Sequence, residues 1–167
     1  MDTSELGAKL AQLHPQSFGW ALASCHGDQA QAEDVLQSAY LKVLDGRARF
    51  GGEATFKTWL FGVIRNGARE ERRRHLLCRA GLLRYEPALP PNTNPEKELA
   101  QKEYYNGIRA ALQKLSSRQQ EVLHLVFYQE LTIAEAAFIM KVSLGSARTH
   151  YERGKRQLRK HLNYNER

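Results

Sequence analysis

Four of the five prolines in this 167-residue chain fall between Tyr85 and Pro95, in the run YEPALPPNTNP. Proline removes a backbone donor and clashes with the preceding turn, so neither a helix interior nor a central strand tolerates such a run. Residues 85–95 therefore read as a linker, extended where the prolines cluster, between a unit of residues 1–84 and one of residues 96–167. Units this short bury modest cores. Nowhere does the chain show strand alternation, a Gly-rich phosphate loop or a repeat; apolar residues recur at helical spacings of three and four. The expectation is an all-α fold: two small helical domains joined by a Pro-rich linker, the second containing a helix-turn-helix.

Charge is segregated along this frame. Residues 1–46 carry −4, residues 47–84 carry +7, residues 85–122 balance, and residues 123–167 carry +4, for a net +7. Two basic blocks separated by a neutral one imply two polyanion contacts, and the acidic start implies a different partner. The two cysteines, Cys25 and Cys78, form no disulfide framework. The pairs Cys25-His26 and His75/Cys78 lack further ligands at metal-site spacing, so neither a metal nor a cofactor is expected. With no signal pattern and no apolar run long enough to span a bilayer, the expected location is cytoplasmic, without membrane insertion.

In the first unit, residues 6–24 read as loosely helical, with Leu10, Leu13, Phe18, Trp20 and Leu22 as core candidates. Asp28 with Gln31 is a capping signature for a helix whose buried face is Ala32, Val35, Leu36, Ala39, Tyr40 and Val43, and Gly46 can end it. Its opposite pole carries Asp34, Ser38, Leu41 and Asp45, flanked by Gln37. Leu41 there is either a scattered surface leucine or the apolar anchor of a protein contact. A loop over residues 47–55 follows, and Thr55 can cap a helix running to about His75. Phe56, Trp59, Leu60, Val63, Ile64, Gly67 and Ala68 form its apolar face, which makes Trp59 a core residue. Phe61 falls on the polar side beside Lys57, Thr58, Arg65 and Arg72. It either stacks on single-stranded nucleic acid or packs under a neighbouring helix. Arg69, Arg72, Arg73 and Arg74 extend the basic surface.

In the second unit, Asn94 and Pro95 open a helix with the stripe Leu99, Tyr105, Ile108, Leu112 and Leu115. Ser117 with Gln120 caps the next, whose core is expected to be Val122, Leu123, Val126 and Phe127. Thr132 and Glu135 then form a capping box before a short helix bearing Ala136, Ala137, Ile139 and Met140. Lys141-Val142 makes a turn, and Ser143 caps a longer helix with Leu144, Ala147, Tyr151, Gly154 and Leu158 buried. Ser146, Arg148, Thr149, His150, Arg153, Lys155 and Arg156 occupy its other faces. A short helix, a tight turn and a longer basic helix describe a DNA-reading helix-turn-helix.

These residues reach a family. GDQAQAEDVLQSAYLKVL (Gly27 to Leu44) resembles the helix by which bacterial sigma factors grip core RNA polymerase, and the Arg49–Arg74 segment resembles their promoter-melting segment. The Leu115–Leu162 segment resembles their second conserved domain. The order, the proline-rich spacer and the small size are similar to the extracytoplasmic-function (ECF) group. The resemblance implies a subunit that is not an enzyme but binds bacterial core RNA polymerase and directs promoter-specific initiation. It places Asp34, Gln37, Tyr40 and Leu41 on the polymerase. Lys57, Phe61, Arg65, Asn66, Arg69 and Arg73 would hold the −10 single strand, and Ser146, Arg148, Thr149, His150 and Arg153 the −35 duplex. A cognate anti-sigma factor is implied as a further partner.

Departures from the family pattern concern DNA preference more than fold. Gly67 stands in place of a bulkier residue, Ser116 of a common Pro and Gly154 of a common Ala. Glu152 is unusual among basic residues and is expected to repel phosphate or to pair with Arg148 or Arg156. The alternative functional reading is a stand-alone helix-turn-helix regulator, which would bind a palindromic duplex as a dimer without polymerase.

Overall fold

A computed structural model describes residues 2–79 and 107–165, and every described element is a helix or a turn. The chain divides into two compact units, Met1–Pro91 and Asn92–Arg167. The expected linker, the Asn94 cap, Leu99 and Tyr105 lie outside the described residues.

Among the described residues of the first unit, α1 (Thr3–Ser24), α2 (Gln29–Leu44) and α3 (Phe56–Arg79) pack pairwise. Helix α1 continues through Pro15, although that residue takes a donor out of the helix ladder and costs about 3 kcal/mol in an isolated helix. Burial outweighs it: Leu10, Trp20 and Ala21 are enclosed, and the Trp20 indole Nε1 donates to the Phe61 carbonyl of α3 at 3.0 Å. Of the other expected core residues of α1, Leu13, Phe18 and Leu22 are half-buried. Asp28 caps α2 as expected, accepting from the Gln31 amide at 3.0 Å. Ala32, Val35, Leu36, Ala39 and Val43 are buried, and Tyr40 is half-buried with its hydroxyl 3.3 Å from His14 Nδ1. Gly46 beyond the helix end has φ +75°, a left-handed turn that favours glycine.

Helix α3 differs from its sequence pattern in the direction of its buried face. Thr58, Leu60, Phe61, Ile64, Arg65 and Ala68 are buried, whereas Phe56, Trp59 and Val63 are half-buried. The helix carries apolar residues over more than one face. Helices α1 and α2 cover the side bearing Phe61, whose ring stacks on Trp20 with centroids 6.1 Å apart. Trp59 instead joins Phe56 and the loop residue Phe50 in an aromatic cluster, with centroids 5.4–5.6 Å apart. Thr55 caps α3 through the Thr58 amide at 3.2 Å.

In the second unit a helical stretch over residues 107–113 precedes α4 (Ser117–Leu123). The α4 cap lies one residue earlier than expected. Ser116 Oγ accepts from the Gln119 amide, and Gln119 Oε1 accepts from the Ser116 amide at 3.2 Å, a reciprocal capping box. Residues His124–Tyr128 widen into a π turn, closed by the Gln129 amide donating to the His124 carbonyl at 3.2 Å. The wider turn changes the register of the buried face. Leu125 turns fully inside, while Val126 is half-buried and Phe127 is 58% exposed, against the expectation that both lie in the core.

Helices α5 (Ile133–Met140) and α6 (Leu144–Asn165) form the helix-turn-helix, with α4 packed against both. The Thr132–Glu135 capping box forms, and Ala136, Ala137, Ile139 and Met140 are buried, as expected. Lys141 makes the turn in the left-handed region, φ 54°. The Arg118 guanidinium spans from α4 to donate to the Met140 carbonyl at 3.0 Å, fastening the end of α5.

Candidate nucleic-acid and polymerase interfaces

On α2, Asp34, Gln37 and Leu41 are exposed and share the pole opposite the buried stripe. Leu41 is 55% exposed, an apolar side chain within a polar rim. Tyr40 stands at the edge of that face, and burial raises its phenol above the ordinary value. Lys42 leaves this face to meet Glu70 of α3 at 3.1 Å, so one basic residue of α2 serves to fix the helix.

On α3, Asn66, Arg69 and Arg73 are exposed. Two expected −10 contacts are not available there. Phe61 is fully enclosed, and Arg65 is 2% exposed. Packing by two neighbouring helices decides between the readings of Phe61: it lies under α1. Lys57 is half-buried, with its ammonium 5.6 Å from the Phe61 ring centroid. Arg72 turns back to donate to the Ser24 carbonyl at the end of α1, 3.1 Å away. Helical spacing places Trp59, two turns before Asn66 and four before Arg73, on the exposed basic face. The same spacing is present in the sequence, although the unbroken apolar pattern of the helix assigns Trp59 to the core.

On α6 the Ser143 hydroxyl accepts from the Ser146 amide at 3.1 Å, capping the helix and standing 2.9 Å from the Ser146 hydroxyl. Ser146, Arg148, Thr149 and Arg153 are exposed and His150 is half-buried. Thr149 donates its hydroxyl proton to the Gly145 carbonyl at 3.0 Å. The side facing α4 is held close by small residues. Ala147 is fully enclosed, and a Cβ on Gly154 would stand 3.1 Å from Leu123 Cδ1 and 3.3 Å from Gln119 Cβ. Leu144, expected inside, is 40% exposed, because the chain enters the helix from the turn at this residue. Glu152 pairs with Lys155 at 3.2 Å, not with Arg148 or Arg156.

The family pattern described as Sigma-70 region 2 matches residues 10–76, and Sigma-70, region 4 matches residues 111–160. The ECF RNA polymerase sigma factor SigX of Bacillus subtilis is 31% identical over 140 residues, covering 81% of this chain and 72% of SigX. This chain belongs to the ECF sigma factors. SigW of the same organism is 26% identical to this sigma factor over 145 residues, with 81% and 78% of the two chains covered. In fold, it is similar to the sigma factor RpoE of Bartonella quintana, solved in complex with the anti-sigma factor NepR. That likeness has a TM-score of 0.70 at 22% identity and covers 95% of this chain and 97% of that one. Among the described residues, no helix is long and apolar enough to cross a membrane.

Proposed function

We propose that this ECF sigma factor binds core RNA polymerase through the exposed pole of α2 and addresses the enzyme to promoters with two DNA-reading surfaces. Asp34, Gln37, Tyr40 and Leu41 form the polymerase contact, with Leu41 as its apolar anchor. Asn66, Arg69 and Arg73, with Lys57 at the edge, hold the −10 strand. The aromatic role first expected of Phe61 passes to Trp59 and its neighbours Phe50 and Phe56. A half-exposed aromatic beside arginines gives a base somewhere to stack while cations meet the backbone. Ser146, Arg148, Thr149, His150 and Arg153 read the −35 duplex, α6 lying in the major groove. The chain itself performs no chemistry; it acts in the cytoplasm as the polymerase's specificity subunit, under the control of an anti-sigma factor.

Two separate units on one chain support this reading, since tethering two weak sites raises their joint affinity through effective concentration. The observation that carries it is Leu41, an apolar side chain held outside on a helix whose other face is fully packed. Leu41→Arg is therefore expected to weaken binding to core polymerase at least tenfold while leaving helicity and the melting temperature unchanged. Unaltered binding in a pull-down titration would remove α2 from the interface.

A further inference from the structure

Glu152 is a carboxylate in the middle of a surface otherwise suited to a polyanion. Helical spacing puts it one turn beyond Arg148 and Thr149 and one turn before Arg156, all of them exposed. An acid there lowers affinity for every phosphate it approaches, so a compensating contact is the question its position raises. Two arginines lie at i−4 and i+4, yet Glu152 Oε1 is paired with Lys155 Nζ, 3.2 Å away. Lys155 is anchored inward, its ammonium 4.4 Å from the Tyr151 ring centroid, and that ring stacks on Phe127. Arg148 and Arg156 make no ion pair with the carboxylate, and the Glu152 side chain stays 60% exposed beside Lys155. Thr149, one turn before Glu152, has its hydroxyl proton committed to the Gly145 carbonyl. Thr149 and Glu152 together present only oxygen acceptors to a ligand, between flanking guanidinium donors.

An acceptor pair in the major groove selects for a base edge that donates. Cytosine presents N4 as a lone donor, adenine presents N6 beside the acceptor N7, and guanine and thymine present acceptors that a carboxylate repels. Resting on the reading of α6 as the −35 helix, we propose that Glu152 is a specificity-determining residue that accepts from the N4 amino group of a cytosine in the −35 element. Its charge costs affinity on all DNA and returns discrimination at one base pair.

The test uses holoenzyme reconstituted from core polymerase and the full chain, unaltered or carrying Glu152→Ala or Glu152→Gln. Each is assayed for initiation from promoters with every base substituted singly across the −35 element. The unaltered protein is expected to prefer cytosine at one position by roughly tenfold, the scale of a single good base contact. Glu152→Ala is expected to raise binding to all sequences, most at low salt, and to flatten that position to within about twofold. Glu152→Gln, whose amide offers a donor as well as an acceptor, is expected to admit purines there. A uniform gain that leaves every base preference intact would overturn the proposal and reduce Glu152 to a repulsive charge. A uniform loss with a lowered melting temperature would overturn it in favour of a structural role through Lys155. If the unaltered chain directs no initiation from any promoter, the sigma-factor reading fails and takes this proposal with it.

Discussion

Helices α3 and α6 are both long and basic, of 24 and 22 residues, and each packs against two neighbours, yet they meet those neighbours differently. The buried face of α3 is made of large side chains, Leu60, Phe61 and Ile64, and it takes in even Arg65. The buried face of α6 centres on Ala147 and Gly154, with no atom to spare at the crossing with Leu123 and Gln119. Large residues hold helices apart and enclose a wide arc of the surface. Small residues let backbones approach and leave neighbouring long side chains outside. Thus α6 keeps nearly all its expected DNA-facing residues, whereas α3 surrenders two of six to the core.

The largest effect that follows from this contrast lies at Phe61. Phe61→Ala is expected to cost about 3–5 kcal/mol of stability, because it empties a fully enclosed site against Trp20. Trp59→Ala, removing a half-buried ring, is expected to cost clearly less while impairing promoter opening more. Denaturant unfolding followed by tryptophan emission checks the first, since Trp20 and Trp59 are the two tryptophans of the chain. A small loss at Phe61 with a large defect in opening would reverse the roles assigned to the two rings.

The next effect separates the units by pH. Burial holds the His124 imidazole down to about 4 from an ordinary 6.5. As pH falls below 6.5 the unfolded chain takes up a proton that the folded unit refuses until about pH 4. This contribution is complete above pH 6.5 and is lost progressively toward pH 4, on the order of 3 kcal/mol in all. Hydrogen exchange at Leu125 should therefore quicken, relative to neutral pH, on moving to pH 5, after correction for intrinsic rates, and His124→Gln should abolish that change. A pH-independent opening free energy at Leu125 would contradict the burial of the ring.

The fold was largely legible, and the errors share a cause. Caps are local chemistry, so Asp28, Thr55, Thr132 and Ser143 could be read from a few residues, and the compact α5 with its four buried residues followed. The cap is Ser116 and not Ser117; the two serines are adjacent, each with a glutamine three residues on, so the local pattern fits both. Periodicity failed where an assumption behind it failed. The π turn at His124–Tyr128 breaks the 3.6-residue period, exposing Phe127 and burying Leu125. Helix α3 has apolar residues on too many sides for spacing to say which side the neighbours cover, and Phe61 and Arg65, expected at the DNA surface, are buried. Pairing on a surface is similarly a matter of geometry: the spacing of Glu152 allowed Arg148, Lys155 and Arg156 equally.

The smallest effects concern two glycines. A Cβ on Gly67 would meet Val35 Cγ1 at an ordinary 3.5 Å, so Gly67→Ala is expected to stabilise the first unit by about 0.5–1 kcal/mol through helix propensity. Gly154→Ala gains the same propensity but crowds Leu123 and Gln119, and no net stabilisation is expected. Thermal melts of the two variants side by side decide this. Equal gains would mean that α6 is not held at a close crossing.

In the proposed function, two basic helices on one chain read two promoter elements for one polymerase. The most direct test of that function is transcription by core RNA polymerase and the purified chain from a library of randomised promoter fragments, with start sites mapped and upstream sequences compared. Start sites are expected to be preceded by two short motifs at a fixed separation, with Arg148→Ala weakening selection of the upstream motif and Arg73→Ala initiation at the downstream one. Absence of initiation, with the chain alone binding a palindromic duplex as a dimer, would contradict it.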